Sequence, residues 1–86
     1  MELKKLRKDI DKIDKQMKKL FLERMEVAKN IAATKREQGL PIFQPEREAE
    51  VLEKRSEDVP EEMKDIYKKF LQSVMDISKE VQRKEI

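Results

Sequence analysis

Apolar residues recur along the first part of the chain at alternating spacings of three and four. They fall at Leu3, Leu6, Ile10, Ile13, Met17, Leu20, Val27 and Ile31. This pattern predicts a long amphipathic helix, from Leu3 to about Lys35, that packs along most of its length. No glycine or proline interrupts the pattern before Gly39. A helix of about 35 residues is about 50 Å long.

The length of this helix predicts an oligomer. A compact chain of this size has a radius of gyration of about 12 Å, and a helix of about 50 Å does not fit inside it. Charged residues make up 47% of the 86 residues and aromatic residues 5%, which predicts a thin, aliphatic core and also favours an oligomer. We therefore expect a second chain to cover the overhanging part of the helix.

The stretch after the long helix predicts a stop and then a short helix. Gly39 suits a left-handed C-cap, and Pro41 lies just beyond it. Pro45 is expected at the first position of the second helix, which makes Gln44 its N-cap. This helix is expected to end near residue 55 or 56.

A third helix of medium length is predicted after Pro60, where neighbouring acidic residues favour a helix start. It frays after Gln82. Its face that we expect to be buried consists of Met63, Ile66, Tyr67, Phe70, Leu71, Val74, Ile77 and Val81. Because no strand pattern occurs, the sequence predicts an all-α fold of a long, a short and a medium helix in one domain, 1–86.

One position in the long helix breaks the apolar pattern. Arg24 falls where an apolar residue is due, and a guanidinium there is costly unless an anion meets it. Lys35 lies eleven positions later, so both cations point the same way, about 16 Å apart, with small side chains such as Ala28 between them. This arrangement resembles a slot for a small dianion. Equally, Arg24 could pair with an acid of a neighbouring helix or extend into solvent.

Polar groups also interrupt the apolar faces of the other two helices. Ser78 and Gln82 share one face of the third helix at the end of its apolar stripe, and Arg47 and Glu48 lie at the start of the second. Taken singly, each pair fits an ordinary solvated helix end. If the three helices pack together, these groups and the two cations of the first helix converge on one site.

Composition excludes several classes of function. The 21 basic and 19 acidic residues are too balanced for a nucleic-acid binder. Cysteine and histidine are absent, which excludes disulfides and thiolate chemistry and removes the commonest general base and metal ligand. We therefore expect no metal and no cofactor. No signal peptide or membrane span is recognisable, so the expected location is the cytoplasm, away from membranes.

Five short motifs occur in order along nearly the whole chain. They are Leu6-Arg7-x-x-Ile10-Asp11-x-Ile13-Asp14, Glu23-Arg24-Met25, Ala33-x-Lys35, Pro41-Ile42-x-x-Pro45-x-Arg47-Glu48 and Ser78-x-x-x-Gln82. Each is unspecific alone, but the ordered set resembles the all-helical chorismate mutases, the AroQ class. The resemblance implies an isomerase that rearranges chorismate to prephenate in phenylalanine and tyrosine biosynthesis. It also implies a homodimer, intertwined through the first helices, with shared active sites.

The resemblance implies a role for each polar residue at these motifs. Arg24 would bind one substrate carboxylate, and Arg7 of the partner subunit would bind the other. Lys35 and Gln82 would donate hydrogen bonds to the ether oxygen of the breaking C–O bond. Arg7 precedes Arg24 by about 25 Å along the helix. A small substrate therefore cannot contact both within one chain.

The remaining implied substrate-binding residues lie on the second and third helices. Glu48 would accept a hydrogen bond from the ring hydroxyl, while Arg47 and Ser78 would support the carboxylate end of the pocket. Gln44 belongs to the same set, although some members of the family carry an Asp there.

The implied reaction fits the residues that the chain has. A concerted [3,3] rearrangement needs no nucleophile, proton transfer or metal; it needs a held chair-like conformer and donors at the oxygen that gains charge. The alternative is a non-catalytic helical coiled-coil interaction module. It accounts for the apolar repeat of the first helix but not for its interruption at Arg24.

Overall fold

The computed structural model describes residues 2–85 and is dominated by its first helix. Helix α1 spans Leu3–Gln38, α2 spans Pro45–Ser56, and α3 spans Lys64–Lys84, with a 3-10 turn at Glu61–Met63 leading into α3. No strand occurs among residues 2–85. The predicted all-α order of a long, a short and a medium helix is therefore confirmed.

The helix ends follow the glycine and proline signals closely. Helix α1 runs about one turn beyond Lys35 and ends at Gly39, whose φ of 67° is left-handed. The N–H of Leu40 donates to the carbonyl of Lys35 at 2.8 Å and satisfies one carbonyl of the last turn. Pro45 is the first residue of α2, and Gln44 precedes it without making a side-chain capping bond.

Helix α3 packs against both other helices. On the side of α2 it buries Leu71 and Met75 against Val51, with Leu52 and Tyr67 packed around them. On the side of α1 the buried residues are Met25, Ala28 and Ala32, all in the second half of that helix. The small alanines let α3 approach α1 closely, and the first half of α1 remains outside this packing.

The overhang of α1 exposes a stripe of large apolar residues. Leu3, Ile10 and Leu20 are 58%, 55% and 62% exposed. The chain measures 54 × 26 × 15 Å and has a radius of gyration of 16.0 Å, well above the ~12 Å of a compact chain of this length. A single chain therefore leaves this stripe in water, where apolar burial is lost.

The prediction that the whole apolar face of α3 is buried is wrong for the single chain. Ile66 and Phe70 are 59% and 50% exposed, and Met63 and Ile77 are exposed as well. Helices α1 and α2 do not cover this side of α3. Instead, an open apolar groove of about 620 Å³ runs along it. The groove is lined by Met17, Lys18, Leu20, Phe21, Arg24, Tyr67, Phe70, Leu71, Ser73, Val74 and Ile77.

Within residues 2–85, no helix combines the length and the hydropathy needed to cross a membrane.

Candidate active site

A cavity of about 320 Å³ lies where the three helices meet. Seven of the eight polar residues singled out in the sequence line it. They are Arg24 and Lys35 of α1, Gln44 before α2, Arg47 and Glu48 of α2, and Ser78 and Gln82 of α3. The cavity forms because α3 packs on both other helices, so the polar breaks in three separate apolar faces meet at one place.

Lys35 lines the cavity from the last turn of α1. Its Nζ atom donates to the carbonyl oxygen of Ile42 at 2.7 Å and to Oε1 of Gln82 at 3.0 Å. An ammonium group has three hydrogens, so one has no acceptor within residues 2–85 and is available to a ligand in the cavity. Burial lowers the pKa of Lys35, and the charge of Glu48 partly opposes this effect.

Gln82 and Ser78 form the α3 side of the same polar cluster. Both residues are buried, each with 6% of its surface exposed. Nε2 of Gln82 donates to Oγ of Ser78 at 3.4 Å while its Oε1 accepts from Lys35. This pairing orients the amide and leaves one Nε2 hydrogen for a ligand.

Glu48 faces Lys35 from α2 and is held by α3. Nζ of Lys79 lies 2.9 Å from Oε2 and 3.2 Å from Oε1 of Glu48. Nε2 of Gln72 donates to Oε1 at 3.3 Å. Both side chains of the Glu48–Lys79 pair are largely buried, at 16% and 14% exposure. Oε2 therefore keeps more acceptor capacity than Oε1, and it is the oxygen better able to accept from a ligand.

The other predicted residues differ in how fully they are engaged. Arg24 is exposed and makes no ion pair within residues 2–85, so its guanidinium is available to an anion. Arg47 donates to Oε1 of Glu50 at 2.9 Å on the solvent side. Gln44 is half-buried and lines the cavity. Arg7 is exposed on the overhang of α1 and does not line the cavity.

Sequence reasoning did not identify Lys79. It follows Ser78 on α3 and looks like an ordinary lysine of a solvated helix face. In the structure it contacts Glu48, lies 3.3 Å from Oδ1 of Asp76, and sits 4.6 Å from the centre of the Phe43 ring. Its pKa is raised, chiefly by the hydrogen bond to Glu48. No signal in the sequence places Glu48 and Lys79, 31 positions apart, side by side.

The charges around the cavity suit an anionic ligand. Four basic side chains and one carboxylate line it; the basic ones are Arg24, Lys35, Arg47 and Lys79. Lys79 is paired with Glu48 and Asp76, and Arg47 is paired with Glu50. Arg24 and Lys35 therefore remain to meet a ligand that carries more than one negative charge. In the part of the chain that the structure describes, no group of acidic residues is arranged to hold a metal ion.

Comparison with known proteins gives consistent matches. The family model described as chorismate mutase type II matches residues 6–83. A bifunctional chorismate mutase/prephenate dehydratase of Aquifex aeolicus is 51% identical over 53 residues, which are 62% of this chain and 15% of that protein. A chorismate mutase of Methanocaldococcus jannaschii is 47% identical over 47 residues, which are 55% of this chain and 48% of that protein.

A third relative, the T-protein of Haemophilus influenzae, is 42% identical over 53 residues, 62% of this chain and 14% of that protein. The chain thus aligns with less than half the length of each of these three relatives. No solved structure gave a significant match.

Proposed function

The chain belongs to the chorismate mutase type II family, and on that premise we propose that it catalyses the rearrangement of chorismate to prephenate. The observation that carries this proposal is the single cavity lined by seven of the eight polar residues that the family resemblance singles out. They come from three helices and from positions 24 to 82 of the sequence. A set of unrelated solvated helix ends has no reason to converge in this way.

Binding would begin with the carboxylates of the substrate. Chorismate is a dianion, and Arg24 offers a guanidinium that no acid within residues 2–85 neutralises. A guanidinium can grip a carboxylate through two parallel hydrogen bonds. Arg47 of α2 and Ser78 of α3 line the same cavity and would support the carboxylate end. Two fixed carboxylates restrict the substrate to the chair-like conformer from which it reacts.

Rate enhancement would come from the donors at the other end of the cavity. As the C–O bond breaks and the new C–C bond forms, negative charge grows on the ether oxygen. Within residues 2–85, Lys35 and Gln82 each keep one hydrogen that no protein group accepts, and both side chains are fixed by their mutual bond. Donors held in place before the reaction stabilise developing charge without reorganisation. Glu48 would accept from the ring hydroxyl and set the orientation of the ring.

The complete site would need a second chain. Leu3, Ile10 and Leu20 lie on the exposed stripe of α1, and the apolar groove beside α3 is open over about 620 Å³. An intertwined homodimer would bury both surfaces. Arg7 of the partner subunit would then reach the cavity near Arg24 if the two α1 helices run antiparallel and cross midway between these positions, at about residues 15–16.

The direct test is the ultraviolet absorbance of chorismate in the presence of the purified chain. Loss of chorismate at a rate well above the uncatalysed rate, with prephenate as the product, is the expected result. The Arg24→Ala variant is the matched control, because it removes one guanidinium proposed to bind a substrate carboxylate and leaves the buried core unchanged. Wild-type protein that leaves the uncatalysed rate unchanged would refute the proposal in favour of a non-catalytic helical module. None of the relatives described above has a name that supports that module.

A further inference from the structure

Lys79 is the one charged residue of the cavity to which the proposed mechanism gives no task. It is not a spare surface lysine, since only 14% of its side chain is exposed. Its Nζ atom donates to Oε1 of Glu48 and lies 2.9 Å from Oε2 of Glu48 and 3.3 Å from Oδ1 of Asp76. The centre of the Phe43 ring lies 4.6 Å from the same atom. The ammonium of Lys79 is therefore directed to these two carboxylates, and a substrate would have to compete with them for it.

Glu48, the partner of Lys79, shares the cavity with a second lysine. Glu48 lines the cavity together with Lys35 and Lys79, and its charge acts on Lys35 strongly enough to oppose the lowering of that lysine's pKa. A carboxylate on a flexible side chain could turn to either ammonium. In the structure it is bound by Lys79 and Gln72, both of α3, and Lys35 instead donates to Ile42 and Gln82.

We propose that Lys79 is a positioning residue that holds the carboxylate of Glu48 away from Lys35, so that Lys35 keeps one hydrogen for the substrate. The inference rests on the proposed function for the identity of that substrate. Without the ammonium of Lys79, Glu48 would be left as a largely buried anion in the same cavity as Lys35, on which its charge already acts. An ion pair between them would occupy the donor that faces the ether oxygen and would misplace the acceptor of the ring hydroxyl.

This proposal predicts a particular division between the kinetic constants. Lys35 donates to the ether oxygen mainly in the transition state, so an ion pair that diverts it lowers kcat. The contact of Glu48 with the ring hydroxyl exists already in the bound substrate, so its loss raises KM. Lys79→Met should lower kcat about tenfold or more, as expected for removing one partner of a charged hydrogen bond, and should raise KM as well. Lys79→Arg keeps the charge and should recover most of the activity.

A double-mutant cycle separates positioning from simple packing of α3 against α2. In a Glu48→Gln background no carboxylate remains to pair with Lys35. There, Lys79→Met should change kcat/KM by less than about twofold. A merely structural lysine would cost the same in both backgrounds. The matched control is Lys68→Met, which removes the other ion pair between these helices, Lys68 to Glu53 at 3.7 Å, outside the cavity, and should leave activity unchanged.

The pKa of Lys35 can be measured independently of activity by a pH titration monitored by NMR of ¹³C-labelled lysine side chains. The charged groups that line the cavity with it are Arg24 on its own helix, Arg47 and Glu48 on α2, and Lys79 on α3. In Lys79→Met the Glu48 carboxylate is expected to move towards Lys35, so the pKa of Lys35 should rise by more than it does when Lys79→Met is made in the Glu48→Gln background, where only the charge of Lys79 is lost. Lys79→Gln replaces this variant if the methionine substitution does not yield folded protein.

The outcomes distinguish this inference from the proposed function. Wild-type protein without mutase activity would refute the proposed function, and the Lys35 titration alone would then decide whether Lys79 positions Glu48. An active wild type, with equal effects of Lys79→Met in both backgrounds or an unmoved Lys35 titration, would overturn the role of Lys79. Coupling to Glu48 together with a raised pKa of Lys35 is the result expected.

Discussion

Nζ of Lys35 donates a hydrogen bond to Oε1 of Gln82 at 3.0 Å, across 47 positions of the sequence. The bond joins the last turn of α1 to the last turns of α3. The same Nζ atom donates to the carbonyl of Ile42 at 2.7 Å and so also fixes the loop that leads to α2. The two donors proposed for the ether oxygen thus orient each other with no substrate present, which is the arrangement that electrostatic catalysis requires.

Lys35→Ala should lower kcat about 100-fold or more, because losing one preorganised donor costs on the order of 3 kcal/mol in the transition state. The bonds to Ile42 and Gln82 also predict a loss of roughly 1 kcal/mol of unfolding free energy. Chorismate kinetics and urea unfolding measure both quantities. Lys29→Ala is the control, because Lys29 lies on the same helix and its ion pair, with Glu26, is exposed and outside the cavity. Undiminished kcat in Lys35→Ala would remove Lys35 from the mechanism.

Gln82→Glu should convert a pH-independent donor into a titrating one. At neutral pH the new carboxylate would pair with Lys35 and face the developing negative charge, so kcat should be low. As the pH falls, the protonated acid can donate again and kcat should recover. The pH profile of kcat measures this, with Gln38→Glu at the exposed end of α1 as the control. A profile parallel to that of the wild type would place Gln82 outside the reaction.

The lowered pKa of Lys35 predicts a loss of activity in alkaline solution. Because burial favours the neutral amine, the positive charge at the ether oxygen should disappear at a lower pH than for an ordinary lysine, and kcat should fall there. Lys79, whose pKa is raised, remains charged in that range. Lys35→Arg, which cannot lose its proton, should remove this alkaline decline. An identical decline in Lys35→Arg would assign it to another group.

The same titration of Lys35 should raise the unfolding free energy as the pH increases, whereas it lowers kcat. The pKa of Lys35 is lower in the folded chain than in the unfolded chain, so the unfolded state binds more protons in the window between the two values. The contribution of Lys35 to the unfolding free energy therefore rises as the pH increases through its lowered pKa.

The exposed stripe of α1 predicts a strong effect of a charge placed on it. Ile13 is 50% exposed in the single chain. In a dimer joined through α1 it is buried, and Ile13→Asp should weaken dimerisation at least about 100-fold, since burying an unpaired carboxylate costs several kcal/mol. Analytical ultracentrifugation measures the dissociation constant. Lys8→Asp, on the opposite face of the same helix, should have little effect. Equal masses for Ile13→Asp and wild type would contradict a dimer built on this stripe.

The sequence was informative where one residue type determines the backbone. Gly39 ends α1 in a left-handed conformation and Pro45 opens α2, as expected from their backbone preferences. The polar breaks were recognisable because each interrupts an apolar repeat. Lys79 escaped notice because it interrupts no repeat, and its importance depends on Glu48, a contact between helices that periodicity cannot reveal. The exposure of Phe70 was missed because its face of α3 has no cover in one chain.

The central claim is that each active site takes Arg7 from one chain and Arg24 from the other. Arg7→Ala and Arg24→Ala homodimers should each be nearly inactive, because every site lacks one of the two arginines that bind the substrate carboxylates. When the two variants are unfolded together and refolded, about half of the dimers should be mixed. One site of a mixed dimer then has both arginines and the other has neither. Activity should therefore return to about a quarter of the wild-type value.

A second mixture provides the matched control for this experiment. Arg24 and Lys35 line the same cavity of one chain, so mixing Arg24→Ala with Lys35→Ala leaves one lesion in every site and should restore nothing. Mass spectrometry confirms that mixed dimers have formed in both cases. Recovery to about a quarter in the first mixture and none in the second is the predicted result. Confirmed mixed dimers of Arg7→Ala and Arg24→Ala that remain inactive would contradict the shared site.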